Sequence, residues 1–196
     1  MKKFFLMAMT ALAVPSLDSV AQNKVDNSPV RNFDLSLYLG KWYEIARFDH
    51  LFERGMHDAI AEYSLNPDGT VCVVNSGWKD GTFRSKEAVA KAVKATSSDP
   101  NPLPSHLRVS FFRPFYSDYR VLMVAPDYRY ALVGGSSSKY LWILARDPYL
   151  DELDIEDILL EATLRGYPVH KFIWVNQDYN ITEGGYPPAN AAAFAD

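Results

Sequence analysis

The stretch GKWYEIARFDHLFERG, Gly40 to Gly55, decides how the chain is read. It opens as an amphipathic strand, with a tryptophan two residues after a glycine, then breaks into aromatics and charges. From Gly40 onward the sequence falls into short β-like runs: GKWYEIARFD, HDAIAEYSLN, TVCVVNSGW, TFRSKEAVAKAV, SHLRVSFF, DYRVLMVAP, YRYALVGG and KYLWILARD. Their separators, among them Asn66-Pro67-Asp68-Gly69, Lys79-Asp80-Gly81 and Gly134 to Ser138, have the chemistry of tight turns or short loops. Strands joined this closely are antiparallel neighbours. Eight of them without helical crossovers predict an all-β, up-and-down antiparallel barrel, since closure removes both exposed edges. The run Glu87 to Ala95 fits a helix by propensity about as well as a strand by alternation, and its context favours the strand.

After Asp147-Pro148 the pattern changes. Acidic residues from Asp151 to Asp157 lead into Ile155, Ile158, Leu159, Ala162 and Leu164 before Arg165 and Gly166. Acids in the first turns, a basic residue at the end and a glycine stop predict an α-helix packed on the outside of the barrel. HKFIWVNQ, His170 to Gln177, follows as a short ninth strand. Residues 178–196 read as a loosely held tail, and residues 22–32 as a flexible lead.

At the other end, Lys2 and Lys3 precede the apolar run FFLMAMTALAV, which is too short to span a bilayer, and Ser19-Val20-Ala21 offers a cleavage site. Residues 1–21 are therefore predicted to be a secretory signal peptide, leaving one domain over residues 33–177. The formal net charge of −4, with no Lys/Arg cluster along the sequence, predicts no footprint for nucleic acid or for an anionic membrane surface. No further segment reaches the length of a membrane-spanning helix. Cys72 is the single cysteine, so the fold has no internal disulfide to rest on.

Alternation along the strands assigns faces, because side chains at i and i+2 share one. Leu107, Val109 and Phe111 point inward against Arg108 and Ser110; Arg120 marks the outer face and leaves Tyr119, Val121 and Met123 inside. Tyr140, Trp142 and Leu144, and Ala59, Ala61, Tyr63 and Leu65, are inner sets. With Trp42 inward, Glu44, Ala46 and Phe48 follow. Eight strands enclose either a packed core or room for one small ligand. The alanines favour room, and the lining suits an apolar molecule with one polar end. Glu44 on such a face is expected to be paired, hydrogen-bonded or protonated.

Catalysis finds little support. His50, His57, His106 and His170 are scattered, with no zinc-protease spacing, no nucleophile elbow and no phosphate-cradling loop. The expectation is no catalytic residues, no metal and no cofactor. Two alternatives stand beside ligand binding. One is an enzyme using the Cys72 thiol, whose face within TVCVV alternation does not settle. The other is a surface-acting interaction protein, a homodimer or a membrane contact through Phe112, Phe115 and Tyr116.

The motifs resemble the lipocalins, and among them the bacterial outer-membrane and apolipoprotein D-like branch. The resemblance rests on Gly40 to Phe48, then Phe52 to Gly55, VSFFRPFY (Val109 to Tyr116), PDYRYALV (Pro126 to Val133), YLWILARDP (Tyr140 to Pro148) and KFIWV (Lys171 to Val175), in order from about Phe33 to Gln177. It implies that Gly40, Trp42, Asp127, Tyr128 and Arg146 are structural, with Arg146 lying across the Trp42 indole at the closed end. It also implies a fatty acid or lysophospholipid in the barrel, transported or stored in the cell envelope, and gives the Cys72 thiol enzyme its form as a lipid isomerase, since some lipocalins isomerise lipids with a barrel thiol. The expected ligand-facing set is Ala46, Phe48, Ala59, Ala61, Val109, Phe111, Tyr119, Val121, Met123 and Trp142. Bacterial members often carry an acylated N-terminal cysteine. None lies near residue 21 here, so an exported periplasmic or secreted protein without a lipid anchor is predicted.

Overall fold

The computed structural model describes residues 25–178 and 180; the predicted signal peptide and nearly all of the predicted tail lie outside them. A four-residue helix α1 (Leu35–Tyr38), capped by the Asp34 carboxylate on Ser36 N–H, leads into the strands. These are β1 (Gly40–Phe48), β2 (His57–Leu65), β3 (Val71–Lys79), β4 (Thr82–Ala92), β5 (His106–Phe112), β6 (Phe115–Val124), β7 (Tyr130–Gly134) and β8 (Leu141–Ala145). Helix α2 (Glu152–Leu164), one 3-10 turn (Val169–Lys171) and β9 (Phe172–Trp174) follow.

Each strand pairs antiparallel with the next, and β1 pairs with both β2 and β8. The eight-stranded barrel is thus closed, with β9 added beside the outer half of β1. Turn chemistry drives this order. Asp80 and Gly81 both have positive φ, the mirror-image turn that matches strand twist, and they fold β3 onto β4 in full register from Lys79–Thr82 to Val71–Ala90. The run 87–95 is therefore strand as far as Ala92.

Two apolar layers result. The inner one contains Trp42, Ala61, Tyr63, Val71, Val73, Ala88, Ala90, Leu107, Val121, Ala131, Val133 and Leu144. The outer one lies between α2 and the sheet: Ile155, Ile158 and Ala162 of α2 meet Ile45, Leu122, Leu132, Leu141 and Ile143. Burying each such side chain contributes about 1.5–3 kcal/mol. Asp151 caps α2 by accepting from Asp154 N–H, and Gly166 (φ +84°) ends it. Arg165 at that end hydrogen-bonds Glu161, the carbonyl of Ser28 and the carbonyl of Leu122. Together with buried Val25 and the backbone bond from Val30 N–H to the Val121 carbonyl, this fastens residues 25–30 to the barrel, where a flexible lead was expected.

Candidate functional site

The barrel floor is built around Gly40-x-Trp42. The Trp42 side chain is fully buried, donating to the Tyr38 carbonyl at 2.7 Å, with the Tyr38 ring 4.7 Å away. The Arg146 guanidinium lies over the indole at 3.9 Å. It also donates to the carbonyls of Lys41, Leu37 and Leu39 at 2.7–2.9 Å. Gly40 has φ +94°, and a Cβ there would sit 3.5 Å from the Arg146 guanidinium. The glycine thus serves a backbone conformation that side chains disfavour beside the cation that seals the floor. The Asp127-Tyr128 turn belongs to the same end: Tyr128 has φ +60°, and its hydroxyl accepts from Asp34 N–H at 2.7 Å.

Above the floor three phenols meet. The Tyr119 hydroxyl lies 2.6 Å from that of Tyr38 and 2.8 Å from that of Tyr63. Burial pushes all three pKa values up, so they stay neutral hydroxyls. The wall higher up is Ala61, Ala88, Val109, Phe111 and Trp142. Val109, Phe111, Tyr119 and Trp142 are only partly buried although they belong to the inner layer of a closed barrel. The upper inner face thus stays partly open to solvent.

Of the ten residues expected to face a ligand, Ala61, Val109, Phe111, Tyr119, Val121 and Trp142 lie in or against the inner layer. Ala59 is buried at the β1–β2 seam, its carbonyl accepting from the Gln177 amide. Ala46, Phe48 and Met123 are on the other side, in the layer beneath α2 and β9. The inward facing expected for these three is corrected by two bulges. The β1–β8 register shifts between Glu44 and Ala46, and the β6–β7 register between Val121 and Met123. One extra residue exchanges the faces of everything beyond it.

The first bulge also turns Arg47 inward, opposite Trp142. Its guanidinium donates to Glu44 Oε1 at 2.6 Å and to the carbonyls of Glu53 and Met56 at 2.8 and 2.9 Å. The Trp142 indole N–H donates to Glu53 Oε2 at 3.0 Å, and His50 Nε2 lies 2.9 Å from the same oxygen. All four charged or titratable side chains are buried. They bind the β1–β2 loop across one side of the mouth. Burial, followed by the charge of Glu53, pushes the Glu44 carboxyl up to about 8, with Arg47 pulling the other way. Glu44 is thus hydrogen-bonded and held largely protonated at neutral pH. Beyond Tyr43–Ile60 the β1–β2 ladder parts, and the Gln177 amide bridges the Glu44 and Ala59 carbonyls at 2.8 and 3.0 Å.

Cys72 lies between Val71 and Val73, both in the inner layer, and so points outward. Burial and Glu87 raise its thiol pKa. A lipid inside the barrel does not meet this thiol, which corrects the isomerase alternative built on it.

The geometry defines a cup: an antiparallel barrel plugged at one end by an Arg–Trp pair, with part-exposed apolar side chains on the inner face above. Comparison with known proteins gives the same class. The Lipocalin-like domain family matches residues 33–177. Outer membrane lipoprotein Blc of Escherichia coli (strain K12) is 45% identical over 148 residues, 76% of this chain and 81% of that protein. Apolipoprotein D of Mus musculus is 32% identical over 186 residues, covering 88% and 94%. Among solved structures, insecticyanin from the tobacco hornworm Manduca sexta superposes with a TM-score of 0.62 at 23% identity, covering 83% of this chain and 91% of that one. The chain belongs to the lipocalin family, whose members bind small hydrophobic ligands and are in general binding and transport proteins.

Proposed function

We propose that the protein binds a fatty acid or lysophospholipid in the barrel hollow and carries or stores it in the cell envelope. The observation that carries this reading is the part-exposed inner face of Val109, Phe111, Tyr119 and Trp142 above a sealed floor. An acyl chain of about a dozen methylenes buried there gains on the order of 10 kcal/mol gross, at roughly 0.8 per methylene. Association entropy subtracts several, leaving micromolar affinity or better. Lys86, on the strand face shared with Ala88 and Ala90 and opposite Asn75, offers an acidic head group a counter-charge at the mouth.

On this reading the protein belongs in the cell envelope, exported as a periplasmic or secreted carrier, and its relatives named as outer membrane lipoproteins support the envelope.

Fluorescence titration with cis-parinaric acid, followed by displacement with oleate or lysophosphatidylcholine, tests the binding reading. Saturable uptake at about micromolar concentration or below is expected. Absence of uptake by the folded protein refutes it.

A further inference from the structure

With the floor at the start of β1, the β1–β2, β3–β4, β5–β6 and β7–β8 connections all lie at the opposite, open end. Three of these tips present exposed apolar side chains, Phe112 with the Lys86 ammonium over its ring at 3.4 Å. Leu51 and Phe52, Phe83, and the hairpin residues Phe112 and Phe115 are all exposed, Leu51 and Phe115 to 78%. The same rim gathers cations that the sequence scatters: Lys79 and Arg84 flank the β3–β4 turn, Arg113 lies between the two hairpin phenylalanines, and Lys139 precedes β8. Against them stands Asp80, Arg113 also acts on the Asp68 carboxylate, and Asp49 is engaged by Arg54. A chain of net charge −4 thus carries a basic, greasy ring at one end.

From this we infer that the mouth docks onto the surface of an anionic lipid bilayer, with the aromatic tips in the interface and the cations among the head groups. Charge complementarity selects this occupant. A second copy presented mouth to mouth brings like charges together, and an acidic protein surface leaves five apolar side chains unsatisfied. Docking also sets the opening of the cup against the layer in which acyl chains reside. The inference goes beyond the binding reading and stands or falls on separate data.

The test is co-sedimentation of the purified chain with phosphatidylcholine vesicles, with and without phosphatidylglycerol, at low and high salt. Binding is expected only with phosphatidylglycerol, weakening with salt, at about fivefold in affinity per rim cation. Phe112→Ser/Phe115→Ser and, separately, Arg84→Glu/Lys139→Glu are each expected to weaken it by about tenfold or more. Parinaric acid uptake and thermal midpoint stay unchanged in both, which shows that the barrel is intact. Failure to sediment with phosphatidylglycerol vesicles overturns the inference, as does equal binding by both double variants. So does a concentration-dependent dimer abolished by Phe112→Ser/Phe115→Ser, which assigns the rim to a second copy. Vesicle binding without parinaric acid uptake supports docking while refuting the reading of the cup.

Discussion

Arg146 at the end of β8 covers the indole of Trp42 near the start of β1 at 3.9 Å, and in the same position its donors take three carbonyls of the α1–β1 segment. One side chain therefore joins the last strand to the first, closes the floor and satisfies the end of α1. Lysine can supply the charge but not the planar fork. Arg146→Lys is expected to lower unfolding stability by about 2–3 kcal/mol in urea denaturation, through lost carbonyl bonds and a weaker cation–π contact. Fatty acid affinity is expected to hold wherever the barrel stays folded, because the hollow lies above the floor.

Glu44 gives stability a pH dependence. Its carboxyl pKa is about 8 in the folded protein against 4.5 as a reference, so between these values the folded chain holds a proton that the unfolded chain has released. Its contribution is complete below the reference value and is lost as pH rises through the folded one. Glu44→Gln, permanently neutral, is expected to flatten the decline between about pH 5 and pH 9, an effect on the order of a few kcal/mol. Urea midpoints of both proteins across that range check it; parallel slopes contradict it.

Filling the hollow should separate the two apolar layers. Val109→Trp, on the inner face, is expected to weaken parinaric acid binding by about tenfold or more with a small change in thermal midpoint. Met123→Ala, beneath α2, is expected to cost about 2–4 kcal/mol of stability and leave affinity unchanged. The reverse pattern contradicts the face assignments.

Cys72 is expected to react slowly with iodoacetamide in the folded protein, at a rate unaffected by fatty acid, because its thiol pKa is raised and it faces away from the hollow. Cys72→Ser should leave uptake unchanged. Protection of the thiol by ligand contradicts the outward placement.

Strand order and the helix were legible because turn residues and capping acids leave local marks, and the Trp42–Arg146 floor was legible through the resemblance to the lipocalins. The two bulges were not. Between Glu44 and Phe48 every residue is buried, one face by the barrel and the other by α2 and β9, so hydropathy does not alternate and an inserted residue leaves no trace. Ala46, Phe48 and Met123 were misplaced for that reason, and Arg47 was missed as an interior group. The hydroxyl trio escaped too, since Tyr38 reaches it from α1, outside the strand pattern. The rim cations looked dispersed because three connections bring them together only after the barrel closes.

Native mass spectrometry of the protein purified from cells tests the central claim most directly. A bound species with the mass of a fatty acid or lysophospholipid, released on unfolding and absent from Val109→Trp, is the predicted result. A spectrum of bare protein alone, unchanged after incubation with oleate or lysophosphatidylcholine, contradicts it.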